Sequence, residues 1–257
     1  MGLLDDIIAQ KRSELPELRA RRLPEPPPLV RPLLHRDPGE PLKLICEFKR
    51  RSPSAGELSS ELAVTTRAQA YENAGASMIS VLCDQTFFGG SYEDLAEARR
   101  ATRLPLLCKE FILEECQLDA ALCYGASAAL LIVRCLEPDV LARLITAAQA
   151  RNLVPLVEVT NETESRVALD AGARYFGVNA RDLDTLTMDG DRARRVLEAL
   201  PESMLRCHFS GVKSADSVTE VAGTGADAAL VGESLMREAN PTALLRSFVQ
   251  AARGRLS

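Results

Sequence analysis

From Leu42 onward the chain alternates short, unbroken apolar runs with longer stretches in which apolar residues recur every three or four positions. The runs LKLICEF, MISVL, LPLLCK, AALLIV, VPLVEV, YFGVN, MLRCHF and AALVG begin at Leu42, Met78, Leu104, Ala128, Val154, Tyr175, Met204 and Ala228. Apolar runs without polar interruption fit strands covered on both faces, as in a parallel sheet. Segments 64–73, 92–102, 138–151 and 214–222 read as helices between them, so the chain follows the order of βα units. Gly-Ala-x precedes every even-numbered run, with glycines at 75, 125, 172 and 225, a period of about 50 residues. Each glycine is expected in the left-handed conformation that ends a helix. Two βα units repeated four times close into an α/β fold, a (β/α)8 TIM barrel. An open doubly wound sheet satisfies the same alternation, because periodicity alone does not require closure.

The first forty residues follow another pattern. Residues 3–18 carry a helical apolar stripe, and the proline-rich stretch LPEPPPLVRP from Leu23 to Pro32 cannot hold a regular helix. The expected organisation is a helical and proline-rich N-terminal extension over 1–40 and a barrel catalytic domain over 41–257, together one structural domain.

Composition narrows the partners. Hydrophobic residues make up 46% and charged residues 26% of the 257 positions, enough apolar material for one large core. The net charge of −5 arises from 31 basic and 36 acidic residues spread along the chain. That pattern gives no nucleic-acid footprint and no basic membrane patch, and leaves a small molecule as the expected partner. The seven cysteines are odd in number and lack a Cys-x-x-Cys pair, and Cys46, Cys83, Cys108, Cys135 and Cys207 lie in apolar runs. They read as buried thiols of a reducing cytoplasm. The acidic start MGLLDDIIAQKRSEL does not fit a signal peptide, and no stretch reaches about 18 apolar residues. With only His35 and His208 available, a His-rich metal site or a Ser-His-Asp triad has little material, and no metal is expected.

A barrel of this kind places its site at the carboxyl ends of the strands. Strand one ends at Glu47 and Lys49, which period-2 alternation points to one side. Strand three ends in Lys109, strand five in Glu158 and strand six in Asn179. Each alone could be a solvated strand end, but two lysines and two glutamates converging on one mouth would perturb each other's proton affinities, as acid–base catalysis requires. Strands seven and eight end in Ser210-Gly211 and Gly232-Glu233-Ser234. Glycine there lets backbone N–H groups approach an anion, in the habitual phosphate position of the fold. A phosphorylated substrate is expected, although tight loops alone would also use these glycines.

The segments EFKRRSPSAG (47–56), VLCDQTFFGGSYEDL (81–95), LPLLCKEFI (104–112), LVEV (156–159), GVNARDL (177–183) and ADAALVGESLM (226–236) resemble indole-3-glycerol-phosphate synthase. LLDDIIAQKRSEL resembles that family's N-terminal segment, so the likeness spans essentially the whole chain. The resemblance implies ring closure of 1-(2-carboxyphenylamino)-1-deoxyribulose 5-phosphate to indole-3-glycerol phosphate in tryptophan biosynthesis, with loss of CO2 and water and no cofactor. It implies Lys109 as the acid at the ketone, Lys49 and Glu47 in the later proton transfers, Glu158 orienting Lys109, and Asn179 bonding substrate hydroxyls or carboxylate. It places Lys49 and Ser52 near phosphate or carboxylate, Phe88 and Phe111 as walls for the anthranilate ring, and Arg181 as a carboxylate partner. The phosphate would meet Ser210, Gly211, Gly232, Ser234 and the backbone of Glu233. A monomer or weak oligomer is expected.

One position departs from the family pattern. Where Glu-Ser-Gly-Ile is usual at the end of strand seven, the chain reads Phe209-Ser210-Gly211-Val212. Alternation puts Phe209 on the face of Leu205 and Cys207, so its ring is expected in the mouth at the substrate, where it would desolvate Lys109 or Lys49 and lower a lysine pKa. This departure leaves open a paralogue acting on a different phosphorylated N-aryl or sugar substrate. A non-catalytic phosphosugar-binding protein is the remaining alternative, against which the retained ionisable residues speak.

Overall fold

A computed structural model describes residues 2–54, 56–58 and 63–254. The eight apolar runs form β1 (Lys43–Phe48), β2 (Met78–Leu82), β3 (Leu106–Lys109), β4 (Ala128–Ile132), β5 (Val154–Val159), β6 (Tyr175–Asn179), β7 (Leu205–Phe209) and β8 (Ala228–Val231). All neighbours are parallel, and β1 pairs with both β2 and β8. The sheet is therefore a closed barrel, and the open-sheet alternative falls. Closure lets every strand bury both faces. Ile45, Met78, Leu107, Leu130, Leu156 and Cys207 fill the interior, whereas Cys46, Ile79, Cys108 and Val157 pack outward against the helices.

The helices are α1 (Leu3–Ala20), α2 (Val64–Ala74), α3 (Tyr92–Ala101), α4 (Glu115–Cys123), α5 (Pro138–Ala150), α6 (Glu162–Asp170), α7 (Gly190–Ala199), α8 (Ala215–Ala222), α9 (Glu233–Met236) and α10 (Thr242–Ala251). Side-chain caps define several starts: Ser91, Asn161, Asp189 and Ser214 accept from the backbone N–H groups of Asp94, Glu164, Arg192 and Ser217, each satisfying a donor the helix itself cannot. Gly75, Gly125 and Gly172 take the expected positive φ, but Gly225 does not. There α8 has already ended, and a Cβ at Gly225 would meet the Arg206 guanidinium at 3.1 Å. Close packing, not a left-handed cap, is what the fourth glycine serves.

The N-terminal segment completes the barrel at both ends. Leu4 and Ile7 of α1 join the interior apolar cluster from the mouth, and Leu34 of the proline-rich arm joins it from below. Pro32 and Leu34 lie against Met78, Ala128, Val154 and Leu156. The arm is anchored where Arg36 donates its backbone N–H to Asp227 Oδ1 and its guanidinium to the carbonyls of Ala222 and Ala226. No helix among the described residues is long and apolar enough to cross a membrane.

Candidate active site

The carboxyl ends of the strands open into a cleft of about 1120 Å³ of unfilled space, lined among others by Glu47, Lys49, Lys109, Glu158 and Asn179. The five residues expected to carry catalysis therefore face one volume. Glu47 and Lys49 share a face across Phe48, and Lys49 Nζ lies 2.6 Å from Glu47 Oε1. Lys109 Nζ lies 3.4 Å from Glu158 Oε2. Asn179 Nδ2 donates to Glu158 Oε1 at 2.9 Å, and its Oδ1 accepts from the Arg181 backbone N–H at 3.0 Å. Within the protein this amide holds Glu158 and the loop after β6. Arg181 lines the cleft and donates to the Leu186 carbonyl at 3.2 Å.

Phe209 is 1% exposed and projects into the mouth, with Lys109 Nζ 5.3 Å from its ring centroid, a cation–π distance. The net Lys109 pKa is not lowered, contrary to what the sequence position of the ring suggests for a lysine of the mouth. Burial is the largest single influence and does push that pKa down, but the carboxylates of Glu158 and Glu47 outweigh it, and the net shift is upward. Burial likewise works to raise Glu47, yet Lys49 and Lys109 hold it below the usual carboxylate range. The mouth thus keeps an ammonium protonated and a carboxylate ionised side by side.

Phe209 sets a demand on the adjacent strand. A Cβ at Gly177 would come 2.5 Å from its Cε2 and 2.7 Å from its Cζ. Gly177→Ala is expected to destabilise by about 1–3 kcal/mol through overpacking, and Phe209→Leu should recover much of the loss. Urea midpoints of the single and double variants measure this; equal losses with and without Phe209 would show that the ring is not the obstacle.

Ser52 is buried at the cleft wall, 3.4 Å from Ser54 through their hydroxyls, on a short hairpin that pairs Arg51–Ser52 with Gly56–Glu57. Phe88 and Phe111 line the cleft with ring centroids 6.0 Å apart. At the opposite end Ser210 and Gly211 take positive φ of 68° and 83°, turning the chain sharply after β7. A Cβ at Gly232 would meet Glu47 Oε1 at 2.7 Å, so any larger residue there would displace that carboxylate. Gly232 is the N-cap of α9, whose first N–H groups have no intrahelical acceptor. Ser234 Oγ is buried without a hydrogen-bond partner among the described residues. The Glu233 side chain turns to Arg237 at 3.1 Å; burial opposes its charge, but Arg237, Lys213 and Lys49 keep its pKa low.

Sequence reasoning missed Lys213, Leu4, Ile7 and Glu110 as parts of this cleft. Lys213 lines it beside Gly211, hidden because it stands in a loop four residues beyond the strand. Leu4 and Ile7 line it from α1; their helical spacing marked an apolar face, but nothing local said what that face covers. Glu110 also lines it, although alternation would turn it away from Lys109.

Fold and site together define a (β/α)8-barrel enzyme whose mouth joins two lysine–carboxylate pairs to a glycine-bearing rim. The family model for indole-3-glycerol phosphate synthase matches residues 4–248. The chain is 40% identical over 251 residues to indole-3-glycerol phosphate synthase of Mycobacterium tuberculosis (strain CDC 1551 / Oshkosh), covering 97% of this chain and 92% of the relative. It is 39% identical over the same span to the enzyme of Mycobacterium avium (strain 104). Among solved structures it is similar in fold to a 3-hexulose-6-phosphate synthase, with a TM-score of 0.66 at 16% identity, covering 82% of this chain and 99% of the other. The chain belongs to the indole-3-glycerol phosphate synthase family. It is a decarboxylating, ring-closing carbon–carbon lyase of tryptophan biosynthesis.

Proposed function

We propose that the cleft carries out the ring closure of 1-(2-carboxyphenylamino)-1-deoxyribulose 5-phosphate with the following division of labour. Lys109 gives a proton to the ketone oxygen as the carboxylate-bearing ring carbon attacks the ketone carbon. The new carbon–carbon bond forms, the bond to the carboxylate breaks, and its electron pair restores the aromatic ring as CO2 leaves. Lys49 then protonates the hydroxyl, which departs as water, and Glu47 takes a proton from the adjoining carbon to complete the indole. Two protons are given and one is recovered, matching the one proton consumed when a carboxylate leaves as CO2. The observation that carries this assignment is the 2.6 Å Lys49–Glu47 contact beside the Lys109–Glu158 pair, which lets a proton taken by Glu47 return to Lys49.

Glu158 orients Lys109, and Asn179 orients Glu158 while its second amide N–H serves the substrate. Phe88 and Phe111 flank the anthranilate ring, with Phe209 as a further apolar face, and Arg181 and Ser52 serve its polar groups. The phosphate sits at Ser210, Gly211, Gly232, Ser234 and the Glu233 backbone, with Lys49 and Lys213 supplying positive charge. Residues 1–40 and 41–257 act as one unit, as a monomer or weak oligomer in the cytoplasm.

Incubating the purified chain with this substrate should produce indole fluorescence, read against a protein that contains no tryptophan. Inorganic phosphate should raise KM and leave kcat unchanged. A silent fluorescence trace would overturn the reaction, and a KM indifferent to phosphate at concentrations far above the substrate would overturn the rim assignment alone.

A further inference from the structure

The buried face of α1 consists of Leu4, Ile7, Lys11 and Leu15, so a lysine occupies a position that helical spacing reserves for an apolar residue. Lys11 is 3% exposed, and its ammonium lies 3.0 Å from Asp84 Oδ2, 3.1 Å from Glu110 Oε2 and 2.7 Å from Glu14 Oε2. Asp84 and Glu110 are 0% and 2% exposed. A buried ammonium between two buried carboxylates is costly to build and serves fold stability poorly compared with apolar packing of equal volume. What the carboxylates do with their other oxygens gives the cluster its purpose. Asp84 Oδ1 accepts from the backbone N–H groups of Phe87 at 2.6 Å and Phe88 at 3.1 Å. Glu110 Oε1 accepts from the backbone N–H of Phe111 at 2.7 Å. Each carboxylate therefore holds one of the two rings that flank the cleft, and one ammonium holds both carboxylates.

We propose that Lys11 is a positioning residue for the aryl-binding wall: through Asp84 and Glu110 it sets the spacing of Phe88 and Phe111. It touches neither substrate nor reacting atoms. The electrostatics agree with the geometry. Burial works against the Lys11 charge, but Glu110 and Asp84 outweigh it and hold its pKa above the ordinary lysine range. Burial raises Glu110 to about 7 even with Lys11 beside it, and Asp84 adds to the rise. Without the ammonium the two carboxylates would repel or one would take a proton, and the segments after β2 and β3 would lose their shared anchor. The N-terminal helix thereby acts on substrate recognition through a chain of three charged groups.

The proposal rests on Phe88 and Phe111 being the aryl wall, and the test separates the two. Anthranilate and inorganic phosphate serve as separate probes of the two ends of the cleft, their affinities measured as inhibition constants. Lys11→Met is expected to weaken anthranilate by about tenfold or more, as ångström-scale displacement of binding groups does, and to leave phosphate within about twofold. Phe88→Ala should reproduce the loss of anthranilate binding. If Lys11→Met is poorly folded, Lys11→Met/Glu110→Gln, which removes one buried carboxylate charge together with the ammonium, is measured in its place. Parallel loss of both probes would mean a structural role only and would overturn the proposal. Loss of anthranilate binding in Phe88→Ala but not in the Lys11 variant would overturn the positioning role and spare the wall. Unchanged anthranilate binding in Phe88→Ala would overturn both.

Discussion

Lys109→Met is expected to lower kcat by on the order of a hundredfold or more while substrate affinity stays within a few-fold. The ammonium is asked to stabilise charge that develops on the ketone oxygen, an interaction stronger in the transition state than in the bound ground state, so its loss falls on turnover. Methionine preserves the length of the side chain and its contact with the Phe209 ring, which limits repacking. The carboxylates left behind keep other partners: Glu47 its contact with Lys49 and Glu158 its bond from Asn179. Single-turnover indole fluorescence gives the chemical step, and equilibrium titration gives affinity. A chemical step within a few-fold of the parent would remove Lys109 as the acid, and an affinity loss with turnover intact would make it a binding residue.

Glu158→Gln should lower kcat by about tenfold to a hundredfold and move the basic limb of the kcat/KM profile to lower pH. The sign follows from the balance at Lys109, where burial lowers the pKa and Glu158 and Glu47 raise it above the ordinary lysine value. Deleting the Glu158 charge removes the larger of the two opposing attractions. Lys109 then loses its proton earlier as pH rises, and the acid form needed for the first step is exhausted sooner. Phe209→Leu should act in the other direction, because a smaller apolar group desolvates the ammonium less. Superimposable basic limbs for the parent and Glu158→Gln would show that Lys109 is not the group titrating there. A downward shift in Phe209→Leu would show that the ring stabilises the ammonium more by its π face than it penalises it by dehydration.

Much of the architecture needed only neighbouring residues to be read. Five of the eight expected strands, beginning at Met78, Ala128, Val154, Tyr175 and Ala228, start where the structure starts them, because an apolar run bounded by polar turns has one way to be covered on both faces. The two-residue hairpin of Arg51–Ser52 with Gly56–Glu57 was not legible, being too short to carry a period. The glycine repeat gave the right count of units but the wrong conformation at Gly225, which lies beyond the Gly223 cap that ends α8.

The site divides in the same way. Alternation along single strands is enough to aim Glu47 and Lys49 together and to place Phe209 in the mouth, because successive side chains of a strand must point to opposite faces. The sequence by itself therefore determined the eight βα units, their polar strand ends and the family likeness, while closure of the sheet was read from the strand pairing. Only the tertiary structure decided the net direction of the Lys109 pKa shift and which carboxylates surround Lys11. Both depend on carboxylates carried by other elements: Glu158 lies 3.4 Å from Lys109, with Glu47 adding its charge, and Asp84 and Glu110 lie 3.0 Å and 3.1 Å from Lys11. Burial is the largest single influence on each ammonium, and only the summed attraction of the surrounding carboxylates outweighs it; such groupings are set across the chain, not along it.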